Sequence, residues 1–131
     1  MDKGDVDVVA AGHICLDIVP KFGDVTGNDV GEILRPGKLL EVGEAHFSTG
    51  GPVSNTGLAL RRLGLEVSLM GKCGDDPFGS ILRDRLREEA PGAEQGMVVA
   101  EGAKTSYTIV LVPPGVDRIF LHCPGANDTF G

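Results

Sequence analysis

The sequence is poor in cations: across 131 residues, 12 Lys and Arg stand against 19 Asp and Glu, a formal charge of −7 at neutral pH. No run of Lys or Arg is long enough to follow a phosphate backbone, so nucleic acid is not an expected partner. Long hydrophobic runs are missing too. The longest, such as 108–113, fall far short of the roughly 20 residues that span a bilayer, and the start MDKGDVD lacks the apolar segment of a secretion signal. No membrane partner is expected, and the expected location is the cytoplasm. Cysteine is scarce: Cys15, Cys73 and Cys123 are odd in number and without C-x-x-C spacing, which excludes a disulfide framework and a zinc site and predicts reduced thiols. Internal repeats and linker-like segments are absent as well.

Glycine, by contrast, is abundant. Its 20 residues sit at the ends of apolar runs, where they predict tight turns and not disorder. A hydrophobic share of 41% over this length suffices for one packed domain.

Val6 to Ala11, VDVVAA, reads as a strand buried on both faces of a parallel sheet. After a variable stretch from Pro20 to Gly37, segments 38–42 and 44–48 flank Gly43 and read as a hairpin or a bent strand. Val53 to Leu63 carries small residues between apolar ones, as suits a helix packed closely on a sheet and stopped by Gly64. Glu66 to Met70 reads as the next strand, followed by GKCGDD as a loop. Asp76 and Pro77 make an N-cap and first-turn pair for a helix whose apolar face is Phe78, Ile81, Leu82 and Leu86, with Arg83, Arg87 and Glu88 in water. Met97 to Ala100 adds a third core strand, giving the β-α-β-α-β order of a doubly wound sheet. Ser106 to Val112 and Arg118 to His122, joined by PPGVD, read as a hairpin in a small β-flap.

In open α/β sheets ligands bind beyond the carboxyl ends of the strands. Asp17 follows the first strand, Gly50 and Gly51 precede the first long helix, and Gly74, Asp75 and Asp76 follow the second strand. A carboxylate beside a closely approached glycine pair suits a polyol, because Asp accepts from hydroxyls while backbone N–H groups donate to others. Asn55 adds a donor and an acceptor. Duller roles stand beside these: Asp17 as a solvated loop carboxylate, Gly50 and Gly51 as a tight turn only, Asn55 bonded to local backbone, Asp76 as a helix cap. His13, His46 and His122 lack metal-ligand spacing, Tyr107 and Ile109 pack within the flap, and Cys15 reads as a small buried hydrophobe.

Taken in order, A-G-H-I-C-L-D (Ala11 to Asp17), G-G-P-V-S-N (Gly50 to Asn55), R-R-L-G (Arg61 to Gly64), G-D-D-P-F-G (Gly74 to Gly79) and P-G-A-N (Pro124 to Asn127) resemble the ribokinase-like, or PfkB, family of carbohydrate kinases. The resemblance runs from about Val6 to the last residue. It implies an α/β fold, a three-layer α/β/α domain with a β-sheet lid, of which this chain would be the incomplete N-terminal half: an α/β core at about 5–17 and 50–100, and the lid at about 30–49 and 104–123. It also implies ATP-dependent phosphorylation of a hydroxymethyl group on a sugar or related small alcohol, with ATP and Mg²⁺ as cofactors of the complete enzyme.

Carried over by position, Asp17 would hold substrate hydroxyls, Gly50 and Gly51 would let the sugar lie against the backbone and serve as a lid hinge, and Asn55 would bond another hydroxyl. Cys15 stands where ribokinase-type members often have Asn, and Pro52 replaces a common Lys, so ribose is not assigned. The family's catalytic base and anion hole lie in a later D-T-x-G-A-G-D signature. The closing G-A-N-D-T-F-G is partly similar, with Asp128 in the base position, but it follows a lid-type strand where the family has its P-G-A-N turn. No catalytic, nucleotide-binding or metal-binding residue is therefore expected in this chain, which alone should be inactive and should self-associate through lid or exposed core surfaces. Two alternatives remain open: a nucleoside kinase of the same family, and a non-catalytic sugar-binding or oligomerisation module.

Overall fold

The computed structural model describes residues 4–23, 27 and 29–130; parts of the variable stretch, 24–26 and 28, and the final Gly131 lie outside the described residues. The core layer begins with β1 (Val8–Ala11), and β2 (Cys15–Pro20) follows after a short connector. A four-residue helix, α1 (Val30–Ile33), is capped by the Asp29 carboxylate, which accepts from the Glu32 N–H at 2.9 Å. β3 (Ala45–Gly50) leads into α2 (Pro52–Arg62), then come β4 (Val67–Met70), β5 (Lys72–Gly74), α3 (Pro77–Glu89) and β6 (Val98–Ala100). β7 (Tyr107–Leu111), β8 (Ile119–Cys123) and a 3-10 turn at Gly125–Thr129 complete the order.

Two small parallel pairs make the core sheet, β1 with β4 and β5 with β6. α2 and α3 pack against them around Leu69, Leu82 and Leu86, all fully buried. α3 forms where its signals place it: the Asp76 carboxylate accepts from the Gly79 N–H at 3.0 Å, and Pro77 fills the first turn, where a missing N–H leaves no bond unmade. Arg83 departs from the expected wet face; it is half-buried, and its Nε donates to the Gly79 carbonyl at 3.2 Å.

The lid is a four-stranded sheet in the order β3-β2-β7-β8. Both hairpin-like pairings, β2 with β3 and β7 with β8, are antiparallel, and β2 joins β7 in parallel. This moves residues expected in the core into the lid, because Cys15 to Asp17 begin a central lid strand. The core strand itself starts at Val8, and Val9 is 53% exposed, so it is not covered on both faces among the described residues. Segment 38–44 forms no strand; 45–50 pairs instead with β2, residue for residue from Ala45 opposite Pro20 to Gly50 opposite Cys15. The expected lid range from 30 also contains α1. GKCGDD is not all loop, since Lys72–Gly74 adds a short strand that pairs with β6. Among the described residues no helix is long and apolar enough to cross a membrane.

Candidate functional site

Alternation along β2 turns Cys15, Asp17 and Val19 to one face and the fully buried Leu16 to the other. Asp17 is flanked across the strands by Ser48 on β3 and Thr108 on β7, and Thr108 in turn by His122 on β8. Gly50 lies diagonally across from Asp17, opposite Cys15. A Cβ on Gly50 would come within 2.6 Å of each Asp17 carboxylate oxygen. The bare glycine thus leaves room for a carboxylate that lies flat against the main chain.

That carboxylate is held from behind. The Cys15 thiol donates to Asp17 Oδ1 at 3.4 Å, and its sulfur lies 3.7 Å from Thr108 Oγ1, which is 2.9 Å from His122 Nδ1. Burial pushes the Cys15 thiol up to about 11, against the opposing pull of the Thr108 hydroxyl, and the neighbouring Asp17 charge pushes the same way as burial. Cys15 is therefore a protonated donor at neutral pH and not a nucleophile. In front of Asp17 opens a hollow of about 330 Å³, lined by Ser48 and Arg118 and by the apolar Val19, Val110 and Phe120.

Gly51 answers to the chain itself. It sits at φ +88° as the N-cap of α2, and a Cβ there would meet the His13 carbonyl oxygen at 2.8 Å and Ile14 Cα at 3.2 Å. A left-handed, closely packed position of this kind admits only glycine without strain. Asn55 is exposed on α2 and lines a different hollow, of about 280 Å³, with Thr49, Ser54, Leu58, Arg62 and Glu89. The structure therefore brings Asp17, Gly50 and Gly51 together at the junction of core and lid and leaves Asn55 beside them, not among them.

Other polar groups bind the two layers. Asp76, beyond capping α3, accepts from the Thr105 N–H at 3.0 Å and from the Thr105 hydroxyl, and that hydroxyl accepts from the Gly74 N–H at 2.9 Å. Burial alone would raise the Asp76 pKa; the hydrogen bonds from Thr105 and Gly79 outweigh it and hold the carboxyl below its ordinary value. Asp75 accepts from the Gly102 N–H at 3.0 Å. Asn127, buried, accepts from the Ile14 N–H at 3.2 Å and donates to the Ile14 carbonyl at 3.0 Å, fixing the connector between β1 and β2. Asp128 beside it is exposed.

Sequence reasoning missed three of these roles: Thr105 as a bridge, Asn127 as a tie, and Thr108 with His122 as the backing of Asp17. Only the last had a signal, since the alternation of the two flap strands sets Thr108 and His122 on a common face.

The profile of the pfkB family of carbohydrate kinases matches residues 8–131. A fructokinase from rice (Oryza sativa subsp. japonica) is 32% identical over 114 residues, 87% of this chain and 30% of the relative. A fructokinase structure from Halothermothrix orenii superposes with a TM-score of 0.66 at 26% identity, covering 96% of this chain and 40% of that one. A ribokinase from Cryptococcus neoformans, solved in complex with ADP, gives a TM-score of 0.65 at 19% identity, covering 93% of this chain and 36% of that one. The chain thus spans about a third of the length of the curated relatives it matches. It belongs to the pfkB family of carbohydrate kinases.

Proposed function

We propose that this chain forms the sugar-holding wall and the lid of an ATP-dependent kinase that phosphorylates a hydroxymethyl group of a sugar or polyol. The observation that carries the reading is the Asp17 carboxylate lying against bare Gly50, with Cys15 donating to one of its oxygens. Such a carboxylate keeps acceptor capacity toward the hollow, and a sugar hydroxyl is a donor that fills it. Gly51 supplies the turn that keeps Gly50 in place, and Asn55, which lines the neighbouring hollow, is given at most a secondary part in holding the sugar.

The described residues offer no side-chain set for the metal of such a reaction. Among them no group of three His, Cys, Asp or Glu side chains could hold a metal ion, and every Asp76 oxygen is engaged by Thr105 or Gly79. No phosphoryl-transfer step is assigned to a residue here, and the 131-residue chain alone is proposed to be inactive. Exposed apolar side chains on the lid (Phe120, Leu121) and the core sheet (Val9, Val99) are proposed to support self-association, which light scattering measures directly; a strictly monomeric chain would refute it.

Titration calorimetry with D-fructose tests the sugar reading. Asp17→Asn is expected to weaken binding by about tenfold, roughly 1.4 kcal/mol. Gly50→Ala should act similarly by displacing the carboxylate, and Asn55→Ala should act less. Equal affinity in wild type and Asp17→Asn would sink the assignment.

A further inference from the structure

The hollow in front of Asp17 has a second charged wall, and its meaning rests on reading Asp17 as a sugar ligand. Arg118 precedes β8, and alternation sets it on the face of Phe120 and His122, the face that Asp17 shares. The remaining arginines have partners. Arg61, Arg62, Arg85 and Arg87 meet carboxylates, and Arg35 and Arg83 donate to backbone carbonyls. Arg118 alone among the described arginines has neither an ion pair nor a side-chain hydrogen bond with a described residue. In a chain of net charge −7, an arginine left without a carboxylate while facing the same hollow as Asp17 is a standing anion acceptor.

Between the two charges the wall is apolar, formed by Val19, Val110 and Phe120. A guanidinium makes two parallel N–H···O bonds to a carboxylate or a phosphate, a geometry that a neutral sugar cannot match. Asp17 repels an anion from its own end and accepts hydroxyls there. The pair therefore sorts a ligand end for end.

We propose that the ligand of this hollow is a sugar bearing an anionic group, a carboxylate or a phosphate, with Arg118 as the residue that selects it. The hydroxyl-rich end lies at Asp17 and Gly50, and the anion lies at Arg118.

The test is calorimetric titration of the full chain with D-fructose, D-gluconate and D-fructose 6-phosphate, repeated with Arg118→Gln, Arg118→Lys and Asp17→Asn. Wild type should bind one anionic sugar at least about tenfold tighter than D-fructose, and which of the two it prefers separates carboxylate from phosphate. Arg118→Gln should bring that ratio to about one, and Arg118→Lys should keep part of it. Arg118 is exposed and unpaired, so an unchanged denaturation midpoint confirms that the variants fold. If D-fructose binds as tightly as both anionic sugars, or the ratio survives Arg118→Gln, the Arg118 proposal fails while the reading of Asp17 stands. If no sugar binds and Asp17→Asn changes nothing, both fail.

Discussion

The core and the lid of this chain bury their apolar residues in different ways. In the core, α2 and α3 press Leu69, Leu82 and Leu86 out of water completely, and the 3-10 turn at Ala93–Gly96 closes the layer beneath β4. In the lid, strand pairing carries the structure, and apolar side chains remain open on both faces near the β8 edge: Phe120 is 60% exposed and Leu121 52%. Packing holds the first region and backbone hydrogen bonds hold the second. The candidate site lies on the line between them, where Asn127 grips Ile14 and Asp76 grips Thr105. A site there inherits rigidity from the core and access from the lid.

The largest expected effect contrasts the two regions head on. Leu86→Ala should destabilise the chain by about 2–5 kcal/mol, through lost burial and a residual cavity, whereas Phe120→Ala should stay within about 0.5 kcal/mol. Urea denaturation of both variants checks this, and comparable losses would erase the distinction. Next comes the seam. Asn127→Ala strands a buried N–H and a buried carbonyl of Ile14 and should lower stability by about 2–3 kcal/mol, with hydrogen exchange accelerating at Ile14 first.

Asp76→Ala removes a cap and two ties to Thr105 and should cost about 1–2 kcal/mol. The same carboxyl sets an acid dependence. Its folded pKa lies below its unfolded one, so its contribution is present above the ordinary carboxylate range, near pH 4, and is lost as pH falls through the depressed value. Denaturation midpoints of wild type should therefore fall on acidification below about pH 4 more steeply than those of Asp76→Ala. The smallest effect is kinetic. Cys123 is half-buried, whereas burial raises the thiol pKa values of Cys15 and Cys73. Alkylation followed by mass spectrometry should label Cys123 first, and prior labelling of Cys15 would contradict the buried donor assigned to it.

Legibility followed the same division. α3 could be read because its cap, its proline and its apolar period agree, and β7 and β8 because PPGVD separates two alternating runs. β5 could not, since three residues are too few to show a period and its pairing with β6 is a tertiary fact. Residues 15–17 fall in the lid and not the expected core for a different reason. β2 starts four residues after β1 ends, and nothing local says that the chain leaves one sheet for another at Gly12 to Ile14. At the site, Asp17 and Gly50 were legible as residue types suited to a polyol, and Gly51 as a forced glycine, although the group that excludes its side chain is the chain's own His13 carbonyl. The tie from Asn127 spans 113 residues to Ile14, and no local pattern encodes a contact over that separation.

The most direct measurement is an amide chemical-shift titration of the labelled chain with D-fructose and D-gluconate in parallel, on wild type and Asp17→Asn. Saturable shifts at Cys15, Asp17 and Gly50, with the midpoint moved to about tenfold higher ligand by Asp17→Asn, are the predicted result. Shifts confined to other residues, or a midpoint unmoved in the variant, would show that this carboxylate and this glycine do not hold a sugar.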